Sequence, residues 1–144
     1  MKYLKIFLTL ACLSIAACTD KYEQQYQNYS DFEKANQRNK GWFPDIISTD
    51  VYNLKNVSYL DSLCAFGTFS YSNSYFYDSI FNKALDKIDF SKFKQKVNEH
   101  LERRPKWFLK ADNNFENEYH AMQQDRFYIV RSLKDKKVYF VLSN

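Results

Sequence analysis

Two runs near the C-terminal end, Phe127-Tyr128-Ile129-Val130 and Val138-Tyr139-Phe140-Val141-Leu142, constrain the fold more than any other part of the chain. Both are rich in β-branched and aromatic residues, and Lys134-Asp135-Lys136 between them supplies a polar turn, so they read as a hairpin. Their apolar residues do not alternate with polar ones. A strand with one wet face alternates, whereas a strand apolar on both faces is covered on both. The hairpin is therefore expected either at the centre of a sheet or covered on both sides.

The rest of the chain supplies candidates for that cover. Val51 to Val57 and Leu63 to Tyr71 read as two more strands joined by Tyr59-Leu60-Asp61-Ser62. In the second, Leu63, Ala65, Phe69 and Tyr71 share a face with Gly67, and Cys64, Phe66, Thr68 and Ser70 face the other way. Tyr77, Ile80, Phe81, Ala84 and Ile88 form a helical stripe. Phe90, Phe93, Val97 and Leu101 form a second, with Lys92, Lys96, Glu99 and Arg103 opposite, Glu99 and Arg103 spaced as an i,i+4 pair and Pro105 as its stop. Phe115, Tyr119 and Met122 suit a short helical face within 111–124. Tyr22, Tyr26, Tyr29 and Phe32 fall on one helical arc, and Ser30-Asp31-Phe32-Glu33 matches a capping box, with Gly41 placed to end that helix. The expected class is α+β: one small domain, an antiparallel sheet packed against two or three helices.

The beginning of the chain has a different character. Lys2 and Lys5 precede Ile6 to Ala17, a stretch with no charge and only Thr9 and Ser14 as polar side chains among its non-cysteine residues. That suits the apolar region of a signal peptide and is short of the about 20 residues a spanning helix needs. The stretch ends in Ile15-Ala16-Ala17-Cys18, which resembles the lipobox of bacterial lipoproteins. The resemblance implies cleavage before Cys18, a diacylglyceryl group on its thiol and acylation of the new amine. It also implies a bacterial cell-envelope address, with the membrane, the outer one where there are two, reached through lipidated Cys18. Cys12 would leave too short an apolar run after Lys5 to serve instead. The expected organisation is a signal peptide over 1–17, a lipidated N-terminus and tether over 18–29, and a single domain over 30–144.

Gly41-Trp42-Phe43-Pro44, the later Pro105-Lys106-Trp107-Phe108 and the aromatic C-terminal strand are together similar to a pattern in uncharacterised small bacterial lipoproteins. That resemblance runs from about Lys34 to Leu142 and carries no catalytic residues. Trp42 and Trp107 each stand beside a phenylalanine and within two residues of a proline, so both are expected mostly in the core.

Composition narrows the function classes. The net charge is +4, and losing Lys2 and Lys5 leaves +2, too little for a nucleic-acid partner. After Cys12 leaves with the signal and Cys18 takes lipid, Cys64 has no partner for an intramolecular disulfide, and its apolar neighbours suggest a buried, inert thiol. The two glycines, Gly41 and Gly67, cannot form a phosphate-binding loop or a dinucleotide fingerprint. No metalloprotease, paired Cys-x-x-Cys or nucleophile-elbow motif is present. His120 near Glu116, Glu118 and Asp125 is better explained as a loop histidine, and His100 has no partner close in sequence. No catalytic residue, metal ligand or cofactor is assigned, and the reading leans away from an enzyme.

The candidate binding surface is the basic and aromatic run of Arg103, Arg104, Lys106, Trp107 and Lys110, which suits an anionic or acidic partner. A packed turn after a helix explains the same residues more simply. The leading expectation is a monomeric domain acting as a protein–protein interaction module for an envelope partner, a toxin-immunity or inhibitor lipoprotein being one specific form. The alternative is an envelope-polymer-binding module using exposed aromatics such as Trp42 and Trp107.

The anchor has a direct test. Growth on labelled palmitate should label the protein, and Cys18→Ser should abolish the label. An unchanged label in that variant, or a mature N-terminus elsewhere, contradicts processing at Cys18.

Overall fold

The computed structural model describes residues 21–84, 86–110 and 118–143, so the expected signal peptide and Cys18 lie outside the described residues. Six strands form one antiparallel sheet: β1 (Lys21–Asn28), β2 (Val51–Tyr59), β3 (Cys64–Tyr71), β4 (Tyr119–Gln124), β5 (Phe127–Ser132) and β6 (Lys137–Leu142). The order across the sheet is β1-β2-β3-β6-β5-β4. The expected C-terminal hairpin is β5–β6, and β6 lies between β3 and β5. Both faces are covered, as their apolar residues require. The fold class is α+β.

One face carries α1 (Tyr29–Lys34), the irregular segment 42–47 and α2 (Ser74–Lys83). Phe32, Phe43, Ile46, Ile47, Tyr77 and Phe81 from these pieces pack on Leu54, Phe69, Ile129 and Phe140 of the sheet. The other face carries α3 (Phe90–Glu99) and the segment 107–109. Phe90, Phe93, Val97 and Phe108 there pack on Val57, Phe66, Val130, Tyr139 and Val141. Alternation assigns each strand residue to one cluster or the other, as with Phe140 against Tyr139 and Val141.

Phe140 stands directly across from Gly67 in the β3–β6 register. A Cβ placed at Gly67 would fall inside the Phe140 ring. The bare glycine backbone is thus the seat of the ring. From it the ring reaches Phe43 at 5.8 Å, Phe127 at 5.8 Å and Phe69 at 6.5 Å between centroids.

Several expectations need correction. The segment 21–28, expected as a tether or the start of a helix, is edge strand β1. Tyr22, Gln24 and Tyr26 follow a two-residue period, but glutamine holds the inward position, so the alternation was not visible as hydrophobicity. The helix α1 starts at Tyr29, and the Asn28 side chain, not Ser30, caps it by accepting the Asp31 N–H at 3.0 Å. Gly41, at φ 74°, ends the 3-10 turn Arg38–Lys40 and not that helix. Leu63 precedes β3 in a left-handed conformation, φ 47°, and is exposed.

The helix α2 ends at Lys83, before Ala84 and Ile88. Ile88 instead donates its N–H to the Ala121 carbonyl at 3.3 Å, and Lys87 bridges to Met122, so this connection covers part of the outer edge of β4. Tyr119 and Met122 lie on that strand and not on a helix, because pairing with β5 overrides a weak helical period. Phe115 lies outside the described residues. Leu101 leaves the core because the α-helix stops at Glu99 and a 3-10 turn, Leu101–Arg103, changes its direction. Glu99 pairs with Lys96 at 2.8 Å and Arg103 with Asp61, so the expected Glu99–Arg103 pair does not form.

Gly67→Ala should destabilise the domain by about 1–3 kcal/mol or more, since the added methyl meets an aromatic ring. Combining it with Phe140→Leu should recover part of that loss. Urea midpoints of the chain from Thr19 measure both, and an unchanged midpoint for Gly67→Ala contradicts this packing.

Candidate functional site

Antiparallel pairing gives the domain two ends with different chemistry. The near end is where β1 begins. Lys21 is opposite Tyr59, which leads into the β2–β3 turn, and Leu142 at the end of β6 pairs with Ala65. Arg103 ties the turn after α3 to this end. Its guanidinium reaches both Asp61 carboxylate oxygens, at 2.7 and 2.9 Å, and lies 5.2 Å from the Tyr59 ring centre. The Tyr59 hydroxyl in turn donates to the Arg103 carbonyl at 2.9 Å. The Arg103 guanidinium beside Asp61 holds that carboxyl below the usual carboxylate range. Arg103 is thus a clamp within the domain. Arg104, Lys106 and Lys110 make no ion pair with a described residue and line one shallow concavity of about 270 Å³, together with Pro105 and Phe108.

Trp107 does not join the core. It is 37% exposed, and Phe108, 5.0 Å from Phe66 and 5.6 Å from Tyr139, fills the second cluster in its place. The Phe108 N–H bonds the Pro105 carbonyl at 3.0 Å, and this tight turn sends residues 107 and 108 to opposite sides. Trp107 instead walls a groove of about 110 Å³ over β1 and β2, beside Glu23, Gln25, Lys55 and Val57. Trp42 is half-buried against the first cluster, where Phe43 is the deep residue. In both Trp-Phe pairs the phenylalanine is the plug.

The groups considered for catalysis fall apart or are enclosed. His120 is exposed on β4, Glu116 lies outside the described residues, and among the described residues no three His, Cys, Asp or Glu side chains could together hold a metal ion. His100 does gain partners distant in sequence. Its Nε2 is 3.2 Å from the Ser143 hydroxyl, which donates to Glu99 at 3.4 Å. The carboxylate meets the serine and does not orient the imidazole, and Ser143 is buried, so this is not a nucleophile with an oriented base. Cys64 is buried without a disulfide, and burial pushes its thiol pKa up, away from reactivity.

The far end is built by a polar network that no sequence motif announced. Asp50 accepts the N–H groups of Ser72 at 2.9 Å and Asn73 at 2.6 Å, and the Ser48 hydroxyl. Asn73 then caps α2 by accepting the Tyr75 N–H at 3.0 Å. Ser48 also meets the Tyr77 hydroxyl at 3.0 Å, which donates to the Ile46 carbonyl at 3.1 Å, and burial pushes the Tyr77 pKa up to about 12. Arg131, buried in β5, donates to the Tyr71 hydroxyl and to Asp78, both at 2.6 Å. A lone arginine inside Phe127-Tyr128-Ile129-Val130-Arg131-Ser132 was the available signal for this contact.

This framework displays Tyr75, 86% exposed, next to exposed Phe76, with exposed Tyr52 and Leu133 at the same end. Tyr71 donates its backbone N–H to the Lys136 carbonyl at 3.1 Å, which places the β5–β6 turn there as well.

Fold and surface together define a small α+β domain with a sheet covered on both faces and two separate exposed ends. Residues 20–70 match the family model of the YbbD head domain. The match spans β1, α1, β2 and nearly all of β3, the half of the sheet that carries Gly67. No curated protein and no solved structure matches the chain.

Asp50 gives a pH test. Burial pushes its carboxyl up, but hydrogen bonds from Ser48, Asn73 and Ser72 outweigh burial and hold the pKa below the ordinary value. Its stabilisation is therefore full above the unfolded value of about 4 and is lost as pH falls through the lower folded value. Asp50→Asn should cost about 1–3 kcal/mol near neutral pH, and the gap from the parent should close in acid. Urea midpoints across pH check this, and a gap constant down to the acid limit contradicts it.

Proposed function

We propose that the protein is a lipid-anchored cell-envelope lipoprotein whose domain is a protein–protein interaction module, with the far end as the docking face. The observation that carries this reading is the Tyr75 and Phe76 pair. Aromatic residues concentrate in protein interfaces because a ring brings large contact area at low entropy cost. Here the Tyr75 ring stands in solvent on the first turn of α2, beside Phe76, which is 39% exposed and packs edge-on against Tyr77, a position fixed by Asn73 and Asp50. The lipobox-like segment supports the address. Thr19 and Asp20 separate Cys18 from β1, so an anchor at Cys18 would enter the domain at the end opposite these rings.

A toxin-immunity or inhibitor lipoprotein is the specific form this reading admits, since blocking another protein needs only a fitted surface. The polymer-binding alternative draws on exposed Trp107. It needs a row of rings, and Trp42 is half-buried on the other face of the sheet, with its carbonyl accepting the Asn56 side-chain amide at 2.9 Å.

A photo-reactive residue at Tyr75 in living cells tests the docking face. The expected result is a discrete protein adduct that Phe76→Ala abolishes and that the same probe at exposed Asn98 does not give. Tyr75→Ala should fold with stability within about 0.5 kcal/mol of the parent, as surface changes do, and Phe76→Ala, which loses its edge contact with Tyr77, should cost about 0.5–1.5 kcal/mol and still fold. No protein adduct at Tyr75, or equal adducts from Asn98, overturns the reading, and adducts with envelope polymer at Trp107 favour the alternative.

A further inference from the structure

We infer that the near end of the domain is a second membrane contact, in which Arg104, Lys106 and Lys110 seat anionic lipid headgroups and Leu60, Leu63 and Leu101 enter the headgroup layer. The inference rests on the lipid-anchored reading, because the anchor is what brings this end to a bilayer.

Geometry gathers the three leucines. Leu60 and Leu63 bound the β2–β3 turn, next to the Lys21–Tyr59 pair. Arg103 grips Asp61 of that turn through two hydrogen bonds, and so brings Leu101 to the same end. The leucines are 53%, 47% and 50% exposed. Leu63 is the most telling. At φ 47° a leucine carries a steric penalty that glycine or asparagine would avoid, and its exposed side chain returns little packing to the fold. An apolar side chain held out there is suited to a surface outside the domain.

Charge points the same way. The acids at this end are largely answered from within: Glu23 pairs with Lys21, Asp61 with Arg103, and Glu102 lies 3.9 Å from Arg103. Among the described residues Arg104, Lys106 and Lys110 have no such partner, and they line one concavity with Pro105 and Phe108. Arg104 and Lys106 also line a groove with Lys21 and Tyr59, next to the β2–β3 turn that carries Leu60 and Leu63. Cations near exposed apolar residues suit an anionic interface, where the alkyl stems lie along the apolar layer and the charges meet phosphate.

Chain length sets the distance. Three residues' reach at most about 11 Å when fully extended, which limits how far Lys21 can stand from an anchored Cys18. The headgroup layer is itself roughly 5–7 Å deep on each side. A lipid on Cys18 would thus hold the near end against the headgroups, where even weak contacts act at high effective concentration.

The test couples the chain from Cys18 to Asn144, which contains every described strand and helix, to a maleimide lipid in phosphatidylglycerol–phosphatidylcholine vesicles. Coupling goes through Cys18 because Cys64 is buried. Lysine acylation is then read by mass spectrometry. Lys106 and Lys110 should be acylated about fivefold more slowly than in the uncoupled chain. Lys134 and Lys136, at the other end, should not change. High salt, all-phosphatidylcholine vesicles, or Leu60→Asp with Leu63→Asp should remove the protection while the far-ultraviolet circular dichroism stays the same. Equal acylation at both ends overturns the proposal, as does protection that appears without vesicles and grows with protein concentration, which would assign this end to a second copy of the chain. The coupling bypasses bacterial lipidation. A missing palmitate label would therefore sink the lipoprotein reading separately, and a uniform footprint beside a normal label would sink only this contact.

Discussion

The Phe140 ring resting on the bare backbone of Gly67 is the contact on which the rest of the first layer depends. A side chain at residue 67 would lift the ring off the sheet. Phe43 packs against that ring, and Phe32 lies 5.0 Å from Phe43 between centroids, so α1 and the segment 42–47 would lose their seat in turn. The second cluster, around Phe66, Phe93, Phe108 and Tyr139, has its own ring contacts on the opposite face. Two aromatic layers on one sheet explain how so small a domain buries both faces of its central strands.

The parts legible in the sequence were those where burial and period agree. The β5–β6 hairpin, β2, β3 and its two faces, and the inward residues of α3 were all readable, because each carries apolar residues at the spacing its structure demands. The strand β1 was not. Gln24 is buried at an inward position and donates from its amide to Gln37 and to the Tyr26 hydroxyl, a polar solution that hydrophobic periodicity cannot register. The strand β4 was missed for a related reason, since its six residues have little apolar pattern and are held by their pairing to β5.

The surface was less legible than the fold. The run Arg103 to Lys110 contained the right residues but not their division of labour. Asp61, 42 positions away, takes Arg103, and the Pro105–Phe108 turn decides that Phe108 and not Trp107 is buried. The Tyr75–Phe76 display went unnoticed because exposed and buried aromatics look alike in sequence. Its supports, Asp50 and Asn73, act through hydrogen bonds to backbone groups, which leave no spacing rule to read. On the reading proposed here the two ends divide the work, one meeting lipid and the other meeting protein, with the sheet as a rigid spacer between them.

That division makes the orientation of the anchored domain the decisive quantity. A donor dye at Tyr75→Cys, paired with acceptor dyes on the headgroups of the bilayer holding the lipidated protein, measures how far the far end stands from the membrane. An eight-residue strand rises about 27 Å, so the account predicts a separation of roughly 25–30 Å, unchanged when the lipid surface is diluted. A separation below about 15 Å would mean that the domain lies on its side or inverted, and would contradict the assignment of its two ends.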